Sequence, residues 1–325
     1  MVPWHGARVF ASTREGESTR LDVTWFPRKA GERSFDRLPL VQTFDAGNGR
    51  TLSYLRRGVG PLVVCVPGGP GMDPDAYFAA MNLPGYELLI FAPRGTGSST
   101  SPPTGEGYKI AGYVEDLESL RVHLAIDALT LYGNSHGGCV SLAYACRFPE
   151  RVARLVVTNA PPRMDDAYKA AAAEVQRRFA EAFPDGAERL AASERANAAL
   201  ETDIGDDERH RQFRILMSRY VVQEGPAEAA YLDRLCSAPM NWDAAPVMYA
   251  EMLDGLDLLL DAGNVTMPAL VIAGELDVVV PPAAMRLIAD ALPDARYLEF
   301  PGIGHFPEVE ANQAFSAALG EFLAE

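Results

Sequence analysis

The chain has 325 residues, 48% of them hydrophobic and 22% charged, within the range of globular proteins and long enough to bury a sizeable core. A formal charge of -15 disfavours nonspecific binding to nucleic acid or anionic lipid, both of which need accumulated positive charge. No apolar run approaches the roughly 20 residues that cross a bilayer, and residues 1–17 lack the apolar centre of a secretory signal, so the expected location is cytoplasmic. Cys65, Cys139, Cys146 and Cys236 show no paired metal-ligand spacing and read as buried thiols, and neither a metal nor a cofactor is expected.

In chain order, residues 1–38 are polar and Arg-rich, with one short apolar stretch at 21–26, and form an arm of unassigned role. From Pro39 the pattern becomes regular, with extended runs at 41–44 and 51–56 and an apolar run at 62–66 that suits a strand buried on both faces. Strand signals recur at 87–91, 129–132 and 155–158, and helix-period segments at 113–124 and 139–147 separate the later ones. Strand alternating with helix implies an α/β fold with a mostly parallel central sheet and flanking helices.

The alternation breaks over 161–243, where Ala-rich, charge-rich stretches such as 168–183 and 208–222 read as amphipathic helices, and this region is expected to be an inserted helical cap. It resumes with a strand at 269–273, a helix at 282–291, a strand at 297–300 and a closing helix at 311–323. The expected organisation is a core of 39–160 and 244–325 interrupted by the cap.

The sequence Gly133-Asn134-Ser135-His136-Gly137 follows an apolar strand and precedes a helix, the setting in which a tight bend lifts a serine hydroxyl clear of the backbone. Glycines at 133 and 137 fit a close crossing of strand and helix. The competing assignment for Ser135 is an ordinary helix N-cap. As a nucleophile Ser135 needs a base, and of the five histidines His305 is the candidate, placed in a glycine-rich loop after the last strand. His136 adjoins the nucleophile with its side chain expected to point away, His5 and His210 lie in the arm and the cap, and His123 lies within a helix. Asp277, just beyond the strand ending at 273, is the expected partner of His305, with Glu275 the alternate acid. The order Ser135, Asp277, His305 fits this topology. The amide of His136 and that of Gly69, in the loop Pro67-Gly68-Gly69-Pro70-Gly71, are the expected donors to an oxyanion.

These motifs, with Arg94-Gly95-Thr96-Gly97-Ser98 and Phe148-Pro149-Glu150-Arg151-Val152, resemble the α/β-hydrolase superfamily and, within it, the proline iminopeptidase branch. The resemblance runs from about Pro39 to the C-terminus. Pro67 stands where that branch has histidine, Ala92 where an aspartate is usual, and the cap shows no Trp-rich, Glu-bearing segment of the kind that holds a substrate's free amino group. Gly68, Glu224, Asp243 and Glu251 are the candidate substrate contacts, with Asp233 and Asp254 as further carboxylates near the cap boundary. The resemblance implies a serine hydrolase acting through an acyl-enzyme on a small molecule or short peptide, first an aminopeptidase of the proline iminopeptidase type and alternatively a carboxylic ester or lactone hydrolase. Carbon–carbon bond cleavage or lyase chemistry and a non-catalytic receptor on the same fold are the other classes. Neither nucleic acid nor membrane is an expected partner, and homo-oligomerisation is left open.

Overall fold

The computed structural model describes residues 9–12, 18–21 and 41–325. The apolar stretch expected at 21–26 lies outside the described residues except for Leu21, as does the rest of the 1–38 arm apart from 9–12 and 18–20. Among the described residues ten strands form one sheet: β1 Val9–Ser12, β2 Ser18–Leu21, β3 Gln42–Asp45, β4 Thr51–Gly58, β5 Leu62–Val66, β6 Glu87–Ala92, β7 Leu129–Asn134, β8 Val152–Thr158, β9 Ala269–Gly274 and β10 Ala295–Phe300, in the order β2-β1-β10-β9-β8-β7-β5-β6-β4-β3. The six central strands are parallel. β3 and β4 at one edge, and β1 and β2 at the other, pair antiparallel.

The helices are α1 Pro74–Tyr77, α2 Ile110–Leu124, α3 His136–Arg147, α4 Asp166–Ala182, α5 Gly186–Leu200, α6 Asp206–Met217, α7 Pro226–Ser237, α8 Ala244–Leu253, α9 Pro282–Ala291, α10 Pro307–Glu310 and α11 Asn312–Ala324. Successive strand residues point to opposite faces, so each central strand feeds two cores. Val64, Leu131, Val157 and Val271 pack with α2, α3 and α9, whereas Cys65, Tyr132, Val156 and Ile272 pack with α1 and α11. Burial on both faces is why these strands are runs of apolar residues without alternation.

The expected α/β architecture with an inserted helical segment is what the chain adopts. α4 to α8 all lie between β8 and β9. The helix expected at 208–222 ends at Met217 and continues as a 3-10 turn, Ser218–Tyr220, and α8 adds a helix beyond residue 243. The insertion sits on the sheet through Phe213, Leu216, Met217, Tyr231, Leu232 and Leu235, which join the core cluster of α1 and α11.

The usual aspartate is missing at Ala92, yet Arg94 is fully engaged. Its guanidinium donates to both carboxylate oxygens of Asp116 on α2 at 2.7 and 2.8 Å, and to the carbonyls of Gly107 and Gly112. Arg50 adds a second cation at 2.7 Å from Asp116, which is wholly buried. Charge-assisted bonds on every side offset the desolvation of the carboxylate and tie α2 to the loop after β6.

Strand order also fixes where a site can form. The chain leaves β5 for β6 on one side and then returns to β7 on the other, so β5 and β7 are neighbours whose following segments diverge. Such a switch point leaves a crevice at the carboxyl ends of the strands. The Gly69 loop follows β5 and the Ser135 turn follows β7.

Candidate active site

Ser135 adopts φ 54° and ψ −124° between β7 and α3, a conformation that strains a residue bearing a Cβ by roughly 1–3 kcal/mol. Its amide donates to Thr158 O at 2.8 Å, and its side chain makes no capping bond to α3. The N-cap alternative is therefore removed, since a capping serine spends its hydroxyl on the helix amides. The turn can be this tight because of its glycines. A methyl group at Gly137 would come within 2.1 Å of Val66 O, and one at Gly133 within 2.3 Å of Gly137 O.

Asp277 and His305 meet behind this turn. His305 Nδ1 lies 2.7 Å from Asp277 Oδ2, and both side chains are almost completely buried. The other oxygen of Asp277 accepts from the amides of Val279 and Val280 at 2.8 and 2.9 Å, which fixes the carboxylate's orientation. Glu275 is occupied elsewhere, by Arg178 at 2.5 Å and the Gly302 amide at 2.9 Å.

The His305 loop is held by residues that sequence reasoning did not single out. Asn159, at φ 45° just past β8, donates to the carbonyls of His305 and Gly304 at 2.8 and 3.2 Å and accepts from Gly274 N at 3.0 Å. Its position immediately after a predicted strand, as a residue type that tolerates the left-handed region, was the available signal. The His305 amide donates to Tyr220 O at 2.8 Å, and the Tyr220 ring meets the imidazole edge-on at 5.0 Å. Glu310 accepts from the amides of Gly304 and Val222 at 3.0 and 2.7 Å, clamping this loop to the insertion.

The remaining histidines are placed differently. His123 stacks on Phe44 at 4.3 Å, and His210 Nδ1 lies 2.9 Å from Asp206 O. His136 is buried edge-on against Tyr113, its Nε2 has no partner among the described residues, and burial pushes its imidazole down to about 3. A ring that resists protonation this strongly is no reservoir for a proton. His5 lies outside the described residues.

Ser135, His136, Gly69 and His305 line one cavity of about 1060 Å³ between the sheet edge and the insertion. Met164, Tyr168, Met240, Trp242, Met248 and Tyr249 supply much of its apolar wall. Gly69 has φ +51°, a left-handed conformation that glycine adopts without strain. His136 is the first residue of α3, where an amide has no acceptor within the helix.

Of the four candidate substrate contacts only Asp243 lines this cavity, and it is exposed. Gly68 is instead a packing position, because a Cβ would lie 2.1 Å from Tyr77 Oη and 2.8 Å from Asn134 O. Glu224 is paired with Arg214, which also holds Asp233 at 2.7 Å. Glu251 accepts from the Ile110 amide at 2.9 Å, neutralising an open donor at the start of α2, and borders a separate hollow with Asp254. Both carboxylates are thus consumed by partners that the sequence spacing does not reveal.

Glu308, on α10 beside the His305 loop, is fully buried and neither carboxyl oxygen has a partner among the described residues. Burial pushes its carboxyl up to about 8. A folded-state value above the unfolded one means the native state binds the extra proton, so the contribution to stability is full below about 4.5 and is lost as pH rises through about 8. Glu308→Gln removes the titration while keeping the shape. Its stability relative to the parent should therefore be greater at pH 9 than at pH 5 by roughly 2–4 kcal/mol. Urea denaturation of both proteins at the two pH values checks this, and a pH-independent difference would contradict it.

Comparison with known proteins places these features in context. Residues 61–311 match a family model described as the alpha/beta hydrolase fold. A proline iminopeptidase of Clostridium botulinum is 25% identical over 81% of this chain and 89% of its own length. An alpha/beta fold family hydrolase from Bacillus anthracis superposes with a TM-score of 0.71 at 20% identity, covering 87% of this chain and 99% of its own. The enol-lactonase from Burkholderia xenovorans gives 0.58 at 25% identity, over 86% and 99%. Among the described residues no helix is long and apolar enough to cross a membrane.

Proposed function

The chain belongs to the α/β-hydrolase fold family, and from that premise we propose that it is a serine hydrolase that cleaves a carboxylic ester or lactone through an acyl-enzyme on Ser135. The observation that carries this reading is the buried Asp277–His305 pair at 2.7 Å, opening onto the same cavity as the strained Ser135 turn. In the proposed reaction Ser135 Oγ attacks the carbonyl carbon and His305 Nε2 takes its proton. Asp277 holds the proton on Nδ1 and stabilises the imidazolium that forms. The amides of Gly69 and His136 donate to the oxyanion, each such donor contributing roughly 3–4 kcal/mol to the transition state. His305 returns the proton to the leaving oxygen, and water, deprotonated by the same histidine, releases the acid.

The bond type follows from the charges around the cavity. An aminopeptidase must hold a substrate ammonium with a sheltered carboxylate near the scissile bond. The carboxylates that line this cavity, Glu194, Glu201 and Asp243, are all exposed to solvent. Similarity to the Clostridium botulinum proline iminopeptidase favours the aminopeptidase as the second reading.

A paired panel separates the two: 4-nitrophenyl hexanoate and δ-valerolactone against prolyl and alanyl aminomethylcoumarin, each amide also supplied N-acetylated. Ester or lactone turnover, with the amides essentially inert, is the expected result. Amide turnover confined to free N-termini would establish the aminopeptidase instead.

A further inference from the structure

Two guanidinium groups line the same cavity as Ser135: Arg209 on α6, and Arg219 on the turn that follows it. Both residues are half-buried, and their Nε atoms are sheltered from solvent. Among the described residues neither makes a hydrogen bond or an ion pair. Their contacts are with aromatic faces, Arg209 over Trp242 at 5.5 Å and Arg219 over Tyr220 at 6.0 Å. Neighbouring arginines of the insertion are committed: Arg211 to Glu208, Arg214 to Glu224 and Asp233, and Arg189 to three backbone carbonyls.

A chain of net charge -15 thus lines this cavity with two half-buried guanidinium groups that have no counter-ion among the described residues, while the carboxylates that line it are exposed. A partly buried cation without a counter-ion carries a desolvation cost that a ligand carboxylate would offset. The flat guanidinium fork matches a carboxylate's two oxygens, and an aromatic face behind it restrains its orientation. Arg219 is the nearer of the two to the chemistry, since the adjacent Tyr220 touches His305 through both its ring and its carbonyl. Arg209 stands ten residues earlier, about 15 Å away along α6.

Building on the ester or lactone reading above, we propose that the substrate bears a free carboxylate held by Arg219, with Arg209 supplying a second positive charge further along the cavity. Specificity then resides in the insertion and bond cleavage in the sheet domain.

Two pairs of esters test this. The 4-nitrophenyl monoester of adipic acid against 4-nitrophenyl hexanoate places the carboxylate on the acyl side. 4-(Hexanoyloxy)benzoate against its methyl ester places it on the alcohol side. At least one charged member should exceed its neutral partner in kcat/KM by about tenfold, mainly through KM, and the ratio should fall as salt is raised. Arg219→Ala should bring that ratio back toward one, Arg219→Lys should retain part of it, and Arg209→Ala should lower it less.

Ratios near one in both pairs, or a ratio that Arg219→Ala leaves intact, would overturn the carboxylate assignment while ester hydrolysis stands. Failure of the ester reading shows separately, as absence of turnover on the neutral esters. In that event calorimetric titration of adipate decides the carboxylate claim. Binding to the parent protein that weakens about tenfold in Arg219→Ala supports it, and absent or equal binding refutes it.

Discussion

Ser135→Ala should lower kcat by roughly 10,000-fold or more on any ester the protein turns over, with KM little changed. The alanine removes one oxygen from a half-buried position whose hydroxyl makes no cap to α3, so folding stability should stay within about 1 kcal/mol of the parent. The φ of 54° remains a burden for alanine as for serine. Steady-state kinetics beside thermal unfolding separate lost chemistry from lost structure. Residual activity within tenfold of the parent would remove Ser135 from the mechanism.

Asp277→Asn should cost roughly 10,000-fold in kcat, and the reason lies in how the carboxylate is held. Oδ1 accepts from the amides of Val279 and Val280, so an asparagine there must direct its carbonyl oxygen to them. Its NH₂ group then occupies the place of Oδ2, 2.7 Å from His305 Nδ1. An NH₂ donor facing Nδ1 forces that nitrogen to accept and moves the ring proton to Nε2. The histidine then presents a proton toward the nucleophile where a lone pair is required, and it also loses the charge that stabilises the imidazolium. Kinetics at raised pH should recover part of the loss, as hydroxide replaces the missing base. A loss below about tenfold would place the acid elsewhere, with Glu275 the first alternative to substitute.

Much of the sheet was legible because a strand buried on both faces must be apolar along its length. The run at 62–66 is β5 itself, and the runs at 87–91 and 269–273 each extend by one residue. The Ser135 turn was legible for a related reason. Strand, helix and two obligatory glycines are local requirements, because a Cβ at Gly133 or Gly137 would fall within 2.3 Å of a backbone oxygen.

What the sequence did not reveal depends on partners distant in the chain. Glu224 and Glu251 could be named as carboxylates near the insertion, but only the fold shows one held by Arg214 and the other by the Ile110 amide. Arg209 and Arg219 look like other arginines of amphipathic helices, and their significance is that no acid meets them among the described residues. Asp116 as the counter-ion of Arg94, 22 residues away, belongs to the same class. Helical periodicity states which face is polar, and tertiary packing decides which polar groups are left for a ligand.

The central claim is that Ser135 is the nucleophile, and covalent trapping tests it most directly. The protein is treated with a fluorophosphonate, and the adduct is located by intact mass and peptide mapping. One adduct per chain on Ser135, absent from Ser135→Ala and slowed in Asp277→Asn, is the predicted result. An unlabelled Ser135 in protein that still turns over ester, or an adduct on another residue that abolishes turnover, would contradict it.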